Sequence, residues 1–257
     1  MTRVKLLGVE VDALTMNDLN ALIAEAVEGK ERRIVAHHNT HSVYLWHHDS
    51  RMRAFYQKAH RIHVDGMPLI LLGRFLGLPL RREHRVTYVD WVRPLMAEAA
   101  RRGFRVFYVG SRPGVAERGA ARLLDGITRL RIETHHGYFD TTPGSQENAE
   151  VLAAIRRFRP DILMAGMGMP RQEHWILDNL EDLDAHAILT AGACMDFVAG
   201  AVPTPPRWMG RIGLEWLYRL WTEPSRLWRR YLLEPWFVLR LLIQDVWRKR
   251  TNALEGG

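Results

Sequence analysis

Short apolar runs alternate with helical patterns along the first two hundred residues, and this alternation restricts the fold more than any other feature of the chain. A strand, a helix and a second strand bring the chain back running in the same direction. Repeated, the unit builds a mostly parallel sheet with helices on both faces. Val4–Val9 reads as a strand, and Thr15 as the N-cap of an amphipathic helix ending near Gly29. Arg33–His37 is a second strand, followed by a helix from about Thr40. Arg61–Val64 is a short third strand, with a helix beginning near Pro68. A helix over roughly Val89–Arg101 leads into the strand Arg105–Val109, and Pro113 suits the first position of the next helix. Arg131–Thr134, Asp161–Ala165 and Ala187–Ala191 complete the strands, with a helix over Ser145–Phe158 and another opening after Pro170. No internal repeat or low-complexity stretch interrupts this order.

Ligands of such sheets sit beyond the carboxyl ends of the strands, so residues that follow strands carry most of the functional information. These are Asn39, Asp65, the turns Gly110–Gly114 and Gly166–Gln172, and Gly192 to Asp196. The two glycine turns can cradle a diphosphate on backbone N–H groups at a helix N-terminus, or simply turn the chain. Neither completes the three-glycine dinucleotide fingerprint, and no Walker lysine follows. A carboxylate at Asp65 is well placed for a general base, and equally well for an N-cap of the following helix. Gln172 and Asp196 carry the same ambiguity. His37, His38, His41, His47 and His48 raise a metal site, but no acidic partner falls at a matching spacing. Asp182-Leu183-Asp184 precedes a strand instead of following one and reads as a solvated loop. No metal and no cofactor are expected.

Composition matters where it changes. Ten Lys and Arg stand against four Asp and Glu over residues 204–250, so most of the net charge of +7 lies there. Six of the nine Trp fall in the same stretch. The shift places a boundary near Pro203–Pro206, separating residues 1–203 from a helical, basic, Trp-rich appendage over 204–257. Arg219, Arg226, Arg229 and Arg230 recur at helical spacing. Basic, Trp-rich helices suit an anionic membrane interface; packing on the core or on another subunit is the alternative, with nucleic acid a third. Their wide apolar share speaks against nucleic acid, and leaves self-association open. The N-terminus does not read as a signal peptide, and the longest apolar stretch, Trp236 to Trp247, is broken by Arg240, Gln244 and Asp245. The expected location is cytoplasmic, peripheral on the inner face of the cell membrane. One cysteine, Cys194, excludes a disulfide framework.

Several blocks together resemble the WecG/TagA/CpsF glycosyltransferases, glycosyltransferase family 26, over about Val4 to Arg250. They are Asn39, Val64-Asp65-Gly66-Met67-Pro68, Gly166-Met-Gly-Met-Pro170-Arg-Gln172-Glu173 and Gly192-Ala-Cys-Met-Asp196-Phe. Gly213-Leu-Glu-Trp216-Leu-Tyr-Arg219-Leu and Arg226-Leu-Trp-Arg229-Arg230-Tyr231 follow. The resemblance implies a Rossmann-like catalytic domain that uses a UDP-sugar. It implies inverting, metal-independent transfer to a sugar on a polyprenyl diphosphate, during assembly of a cell-surface polysaccharide. It further implies an appendage that brings the enzyme to the membrane and completes the site.

By position Asp65 matches the family's base, and Asn39 and Gln172 match polar residues of the pocket. Arg219, Arg226 and Arg229 match appendage arginines that reach the donor diphosphate. His37, Arg85, Gly110, Gly114, Gly166, Gly168, Gly192 and Asp196 complete the expected substrate-binding set. The chain departs from the family pattern at His37, where Thr is common, and at Tyr88, where Gly is common. Thr204-Pro205-Pro206 replaces Arg-Ala-Pro. The first two departures bear on which sugars are used, and the third on how the appendage hinges. N-acetylmannosamine, its uronic acid, glucose and glucuronic acid are all candidate transferred sugars. A non-catalytic membrane-bound scaffold that binds nucleotide or lipid diphosphate is the rival reading; a nicotinamide-dependent oxidoreductase is a weaker one, set back by the incomplete glycine fingerprint.

Overall fold

A computed structural model of the chain describes residues 2–255. Eight strands form one sheet: β1 (Thr2–Leu6), β2 (Val9–Ala13), β3 (Arg33–His38), β4 (Arg61–Val64), β5 (Arg105–Gly110), β6 (Arg131–His135), β7 (Ile162–Gly166) and β8 (Ala187–Thr190). Their order across the sheet is β1-β2-β4-β3-β8-β7-β5-β6. Every neighbouring pair is parallel except β1 and β2. The expected α/β, mostly parallel, Rossmann-like architecture is what forms.

Side chains alternate across each strand, and both faces are covered by helices. Val35, Val106, Tyr108, Ile162, Met164 and Leu189 point into one core layer. That layer is closed by α1 (Met16–Glu28), α5 (Tyr88–Arg102), α6 (Val115–Leu124) and α9 (Cys194–Val198). Their strand neighbours Ile34, Ala36, Phe107, Val109, Leu163, Ala165 and Ile188 point into the other. Here the cover comes from α2 (Thr40–His48), α3 (Ser50–Lys58), α4 (Met67–Phe75), α7 (Gln146–Phe158) and α8 (Arg171–Asp178). Strands buried on both faces explain the nearly continuous apolar runs of the sequence.

The first expected strand is corrected. Val4–Val9 is not one strand but the middle of a hairpin, with β1 and β2 paired from Leu6↔Val9 to Thr2↔Ala13. Leu7 and Gly8 both take positive φ, 49° and 100°, as the tight turns that suit strand twist require. Leu7 hides this turn from sequence reading, because a buried leucine in that conformation is uncommon. Pro113 also differs: it lies in the turn, and α6 starts at Val115 with Gly114 as its N-cap at φ 76°. Thr15 caps α1 as expected, its hydroxyl accepting from the Asp18 N–H while the Asp18 carboxylate accepts from the Thr15 N–H.

Residues 201–206 run irregularly into α10 (Arg207–Ile212), α11 (Glu215–Thr222) and α12 (Pro224–Trp228). A single π-helical turn, Arg229–Leu233, then leads into α13 (Glu234–Glu255). Along α13, Val238, Leu241, Leu242 and Val246 pack on the core. Trp236, Leu239, Ile243 and Trp247 form a second stripe at helical spacing that stays exposed. No helix among the described residues is long and apolar enough to cross a membrane.

Candidate active site

The site lies at the carboxyl edge of the sheet, where β3, β4, β7 and β8 end and the C-terminal helices fold across. A cavity of about 150 Å3 is bordered by Asp65 behind β4, His37 and Asn39 at the end of β3, and Gly168, Gln172 and Gly192 on the turns after β7 and β8. Thr87 and Tyr88 border it from α5, and Glu215, Arg219 and Arg230 from the C-terminal helices. A second cavity of about 90 Å3 shares Asn39, Asp65, Glu215, Arg219 and Arg230 with the first, then continues along Pro68, Leu69, Trp216 and Tyr231. Asp65 therefore stands on the wall between two chambers. Its own N–H donates to the His38 carbonyl at 2.8 Å, which fixes the backbone beneath the carboxylate. Gly66, at φ 107°, and Pro68 start α4 immediately behind it, and Gly66, not Asp65, is the N-cap. The capping alternative for Asp65 thus falls away.

Asn39 does cap a helix. Its Oδ1 accepts from the N–H groups of His41 and Ser42, and Arg230 donates to the same oxygen at 3.5 Å. His37 is buried against β8, its Nδ1 3.0 Å from the carbonyl and 2.8 Å from the hydroxyl of Thr190. A carbonyl only accepts, so Nδ1 carries the proton and Nε2 is the nitrogen left for a ligand. Burial holds the imidazole below its usual range and keeps it neutral. The buried Tyr88 hydroxyl has no partner among the described residues and borders the same cavity.

Gln172 is fully buried and uses its amide inside the protein. Its Oε1 accepts from the N–H groups of Gly168 and Gly192, both at 3.1 Å, tying the two turns together. Its Nε2 donates to Glu173 Oε1 at 2.8 Å. Glu173 is buried too, its second oxygen has no partner among the described residues, and burial pushes its carboxyl up to about 7. Glu173, which the sequence shows only as the end of the Gly166–Glu173 block, supports the site by holding the Gln172 amide.

The expected glycines divide. Gly168 and Gly192 border the cavity at φ 81° and 52°. Gly110 and Gly166 instead let β5 and β7 close up: a Cβ on Gly110 would lie 2.3 Å from the Gly166 carbonyl oxygen. Gly114 caps α6 away from the cavity. Asp196 accepts from Ser111 at 2.8 Å, tying the turn after β5 to α9. Arg85 also stands outside the cavity walls, held by Asp90 at 3.0 Å and by Glu215 at 2.6 Å.

Among the arginines, Arg219 lines both chambers, its guanidinium 5.7 Å from the Phe197 ring centre. Arg229 is exposed and lies over Trp228, and Arg230 takes the inward position beside Asp65. Arg229 and Arg230 are neighbours about 100° apart around the helix, so only one of them can face the cavity. Burial pushes the Arg230 guanidinium down, and Arg219 adds to this. Both Nε atoms are buried without a partner among the described residues. The Arg226 side chain lies outside the described residues.

Arg219 and Arg230 thus bring two guanidiniums to the cavity that the Asp65 carboxylate borders, while the Gly168 and Gly192 N–H groups are taken up by Gln172. Among the described residues no group of three His, Cys, Asp or Glu side chains is placed to hold a metal ion. The histidines of β3 and α2 have separate partners, including Glu234 for His41 at 2.8 Å and the Leu7 carbonyl for His47.

The glycosyl transferase WecG/TagA/CpsF family model matches residues 4–252. The chain is also similar to two proteins of Staphylococcus aureus, from strain NCTC 8325 / PS 47 and strain MRSA252. Both are named N-acetylglucosaminyldiphosphoundecaprenol N-acetyl-beta-D-mannosaminyltransferase. Each is 25% identical over 237 residues, 88% of this chain and 87% of the relative.

Proposed function

The chain belongs to the glycosyl transferase WecG/TagA/CpsF family, and on that premise we propose inverting, metal-independent transfer from a UDP-sugar to a sugar carried on a polyprenyl diphosphate. The observation that carries this reading is the position of Asp65 between two chambers that share Arg219 and Arg230. The donor occupies the chamber of Gly168, Gln172 and Gly192, and the acceptor sugar enters from the other. Asp65 takes the proton of the acceptor hydroxyl, whose oxygen bonds to the anomeric carbon as the bond from that carbon to the diphosphate breaks. Attack comes from the face opposite the leaving group, so configuration inverts. UDP leaves with the electron pair, its charge met by Arg219 and Arg230. Preorganised donors of this kind are worth about 3 kcal/mol each where charge develops. The names of the relatives put N-acetylmannosamine first among donor sugars and N-acetylglucosamine on undecaprenyl diphosphate first among acceptors.

The same reading places the protein on the cytoplasmic face of the membrane, where a lipid-linked acceptor resides. The exposed stripe of α13, Trp221 at 86% exposure, and the basic side of this segment fit an anionic bilayer surface.

The test is UDP release from a panel of UDP-sugars, with and without a short polyprenyl-diphosphate-linked N-acetylglucosamine, in EDTA throughout. Acceptor-dependent release that Asp65→Asn abolishes is the expected result. UDP binding without release from any pair would favour a non-catalytic scaffold, and release that stops on adding EDTA would overturn metal independence.

A further inference from the structure

The second chamber does not end at its walls. Its apolar side begins with Pro68 and Leu69 on α4 and is faced by Trp216 and Tyr231, whose ring centres are 6.1 Å apart. Pro68, Leu71 and Phe75 follow one another at i, i+3 and i+7, so they share a face of α4. Met67, Leu69 and Ile70 on the remaining faces are buried in the core. Leu71 and Phe75 are not: they are 45% and 72% exposed. The stripe therefore leaves the chamber and runs outward for about 10 Å, seven residues of helical rise.

α10 forms the opposite bank. A Cβ on its C-cap, Gly213, would lie 3.5 Å from Met67 and 4.0 Å from the tip of Leu71. Ile212 and Trp208, one turn apart on α10, are 54% and 59% exposed. Single exposed apolar residues are ordinary, but a contiguous apolar strip that opens from a polar chamber marks a binding surface. Its inner end is defined chemically, since Asp65, Arg219 and Arg230 close the chamber. A ligand that fits must carry a sugar and diphosphate at one end and a long hydrocarbon at the other.

We propose that the α4 face of Pro68, Leu71 and Phe75, banked by α10, is the track that binds the first isoprene units of the acceptor's polyprenyl chain. This rests on the proposed reading of the acceptor. The track separates the roles of the apolar surfaces: the α4–α10 strip holds substrate, and the outer stripe of α13 is left for the bilayer.

The first arm of the test does not depend on turnover. The full chain is irradiated with a geranylgeranyl diphosphate analogue carrying a photoreactive group on its second isoprene unit, and labelled peptides are mapped. Label within residues 67–75 and 207–213 is expected, competed by unmodified geranylgeranyl diphosphate. Label confined to α12 and α13 would overturn the track. The second arm uses the double variant Leu71→Gln, Phe75→Gln, both exposed and so tolerant of the change. The ratio of kcat/KM for a long-chain over a two-carbon-tailed acceptor should fall at least tenfold. An unchanged ratio accompanied by loss of flotation with anionic vesicles would assign the strip to the bilayer instead and overturn the proposal. If no acceptor supports transfer by the unaltered protein, the proposed function fails, while the labelling still reports on the track.

Discussion

Gln172 spends most of its amide on the protein itself: its oxygen accepts from two glycine N–H groups, and its nitrogen donates one hydrogen to Glu173. Its oxygen therefore shapes the site by tying the turns after β7 and β8 together. Glu173 makes a linked prediction. Its carboxyl titrates near 7 in the folded protein, against an ordinary value of 4.5. Between those two pH values the folded state binds the extra proton, so stability falls as pH rises through the window and is flat above it. The contribution is about 3 kcal/mol at most. Denaturation of wild type and Glu173→Gln at pH 5, 6, 7 and 8 should show the difference between them changing across 5 to 7; parallel curves would remove Glu173 as the titrating group. Asp65→Asn should lower kcat by about a thousandfold, as expected for a lost general base, with the thermal midpoint retained. Arg230→Ala should lower kcat/KM by about a hundredfold and Arg229→Ala by little, because only the first faces the chamber. Equal losses would mean that the inward position of Arg230 does not decide which arginine is used.

At the scale of elements, the glycines show why a motif can be legible while its purpose is not. Gly110-Ser-Arg-Pro-Gly114 and Gly166-Met-Gly168 look alike as strand-to-helix turns. Gly110 and Gly166 serve the close approach of β5 and β7, and a Cβ on Gly166 would lie 2.1 Å from the Tyr108 hydroxyl. Gly168 has open space around its Cβ position but takes φ 81°. Gly110→Ala, with a backbone oxygen in the way, should therefore destabilise by about 3 kcal/mol or fail to fold, at the upper end of overpacking losses. Gly168→Ala should lose only the left-handed preference, about 1 kcal/mol, and chiefly weaken donor binding. Urea midpoints and donor KM for the pair would separate the two roles. The hairpin of β1 and β2 failed to show in the sequence for a related reason. Leu7 fills a turn position by its backbone while its side chain serves the core, so it reads as strand.

For the whole molecule, the C-terminal helices are fastened over the cavity at three described polar points: Arg85 to Glu215, His41 to Glu234, and Arg230 to Asn39. Each joins a residue at the carboxyl edge of the sheet to one near the start of α11 or α13. The double variant Glu215→Ala, Glu234→Ala should lose most transferase activity while the sheet keeps its far-UV circular dichroism. Full activity would mean that the fastening does not hold Arg219 and Arg230 in place. Binding to anionic vesicles should weaken as salt rises from 0.05 to 0.5 M, since the screening length shortens to a few ångströms, and flotation measures this directly.

The sequence by itself determined the fold class, the ends of the strands that border the site and the residues they carry. Short apolar runs and helical patterns are local, and a parallel sheet obliges its ligands to the carboxyl edge. Asn39, Asp65, Gly168, Gln172 and Gly192 were accordingly legible and stand together at the cavity, joined there by Arg219, which the family resemblance pointed to. Tertiary structure alone decided the rest. Whether a glycine faces a ligand or a neighbouring strand depends on which strands pair, and Gly110 meets Gly166 across more than fifty residues of chain. Whether Arg229 or Arg230 points inward depends on how the segment carrying them packs across the cavity, which their helical spacing leaves open. That the Gln172 oxygen ties two turns together depends on two backbone N–H groups that only the fold brings to it. Contacts of that kind are set by packing across the sheet, and no local pattern encodes them.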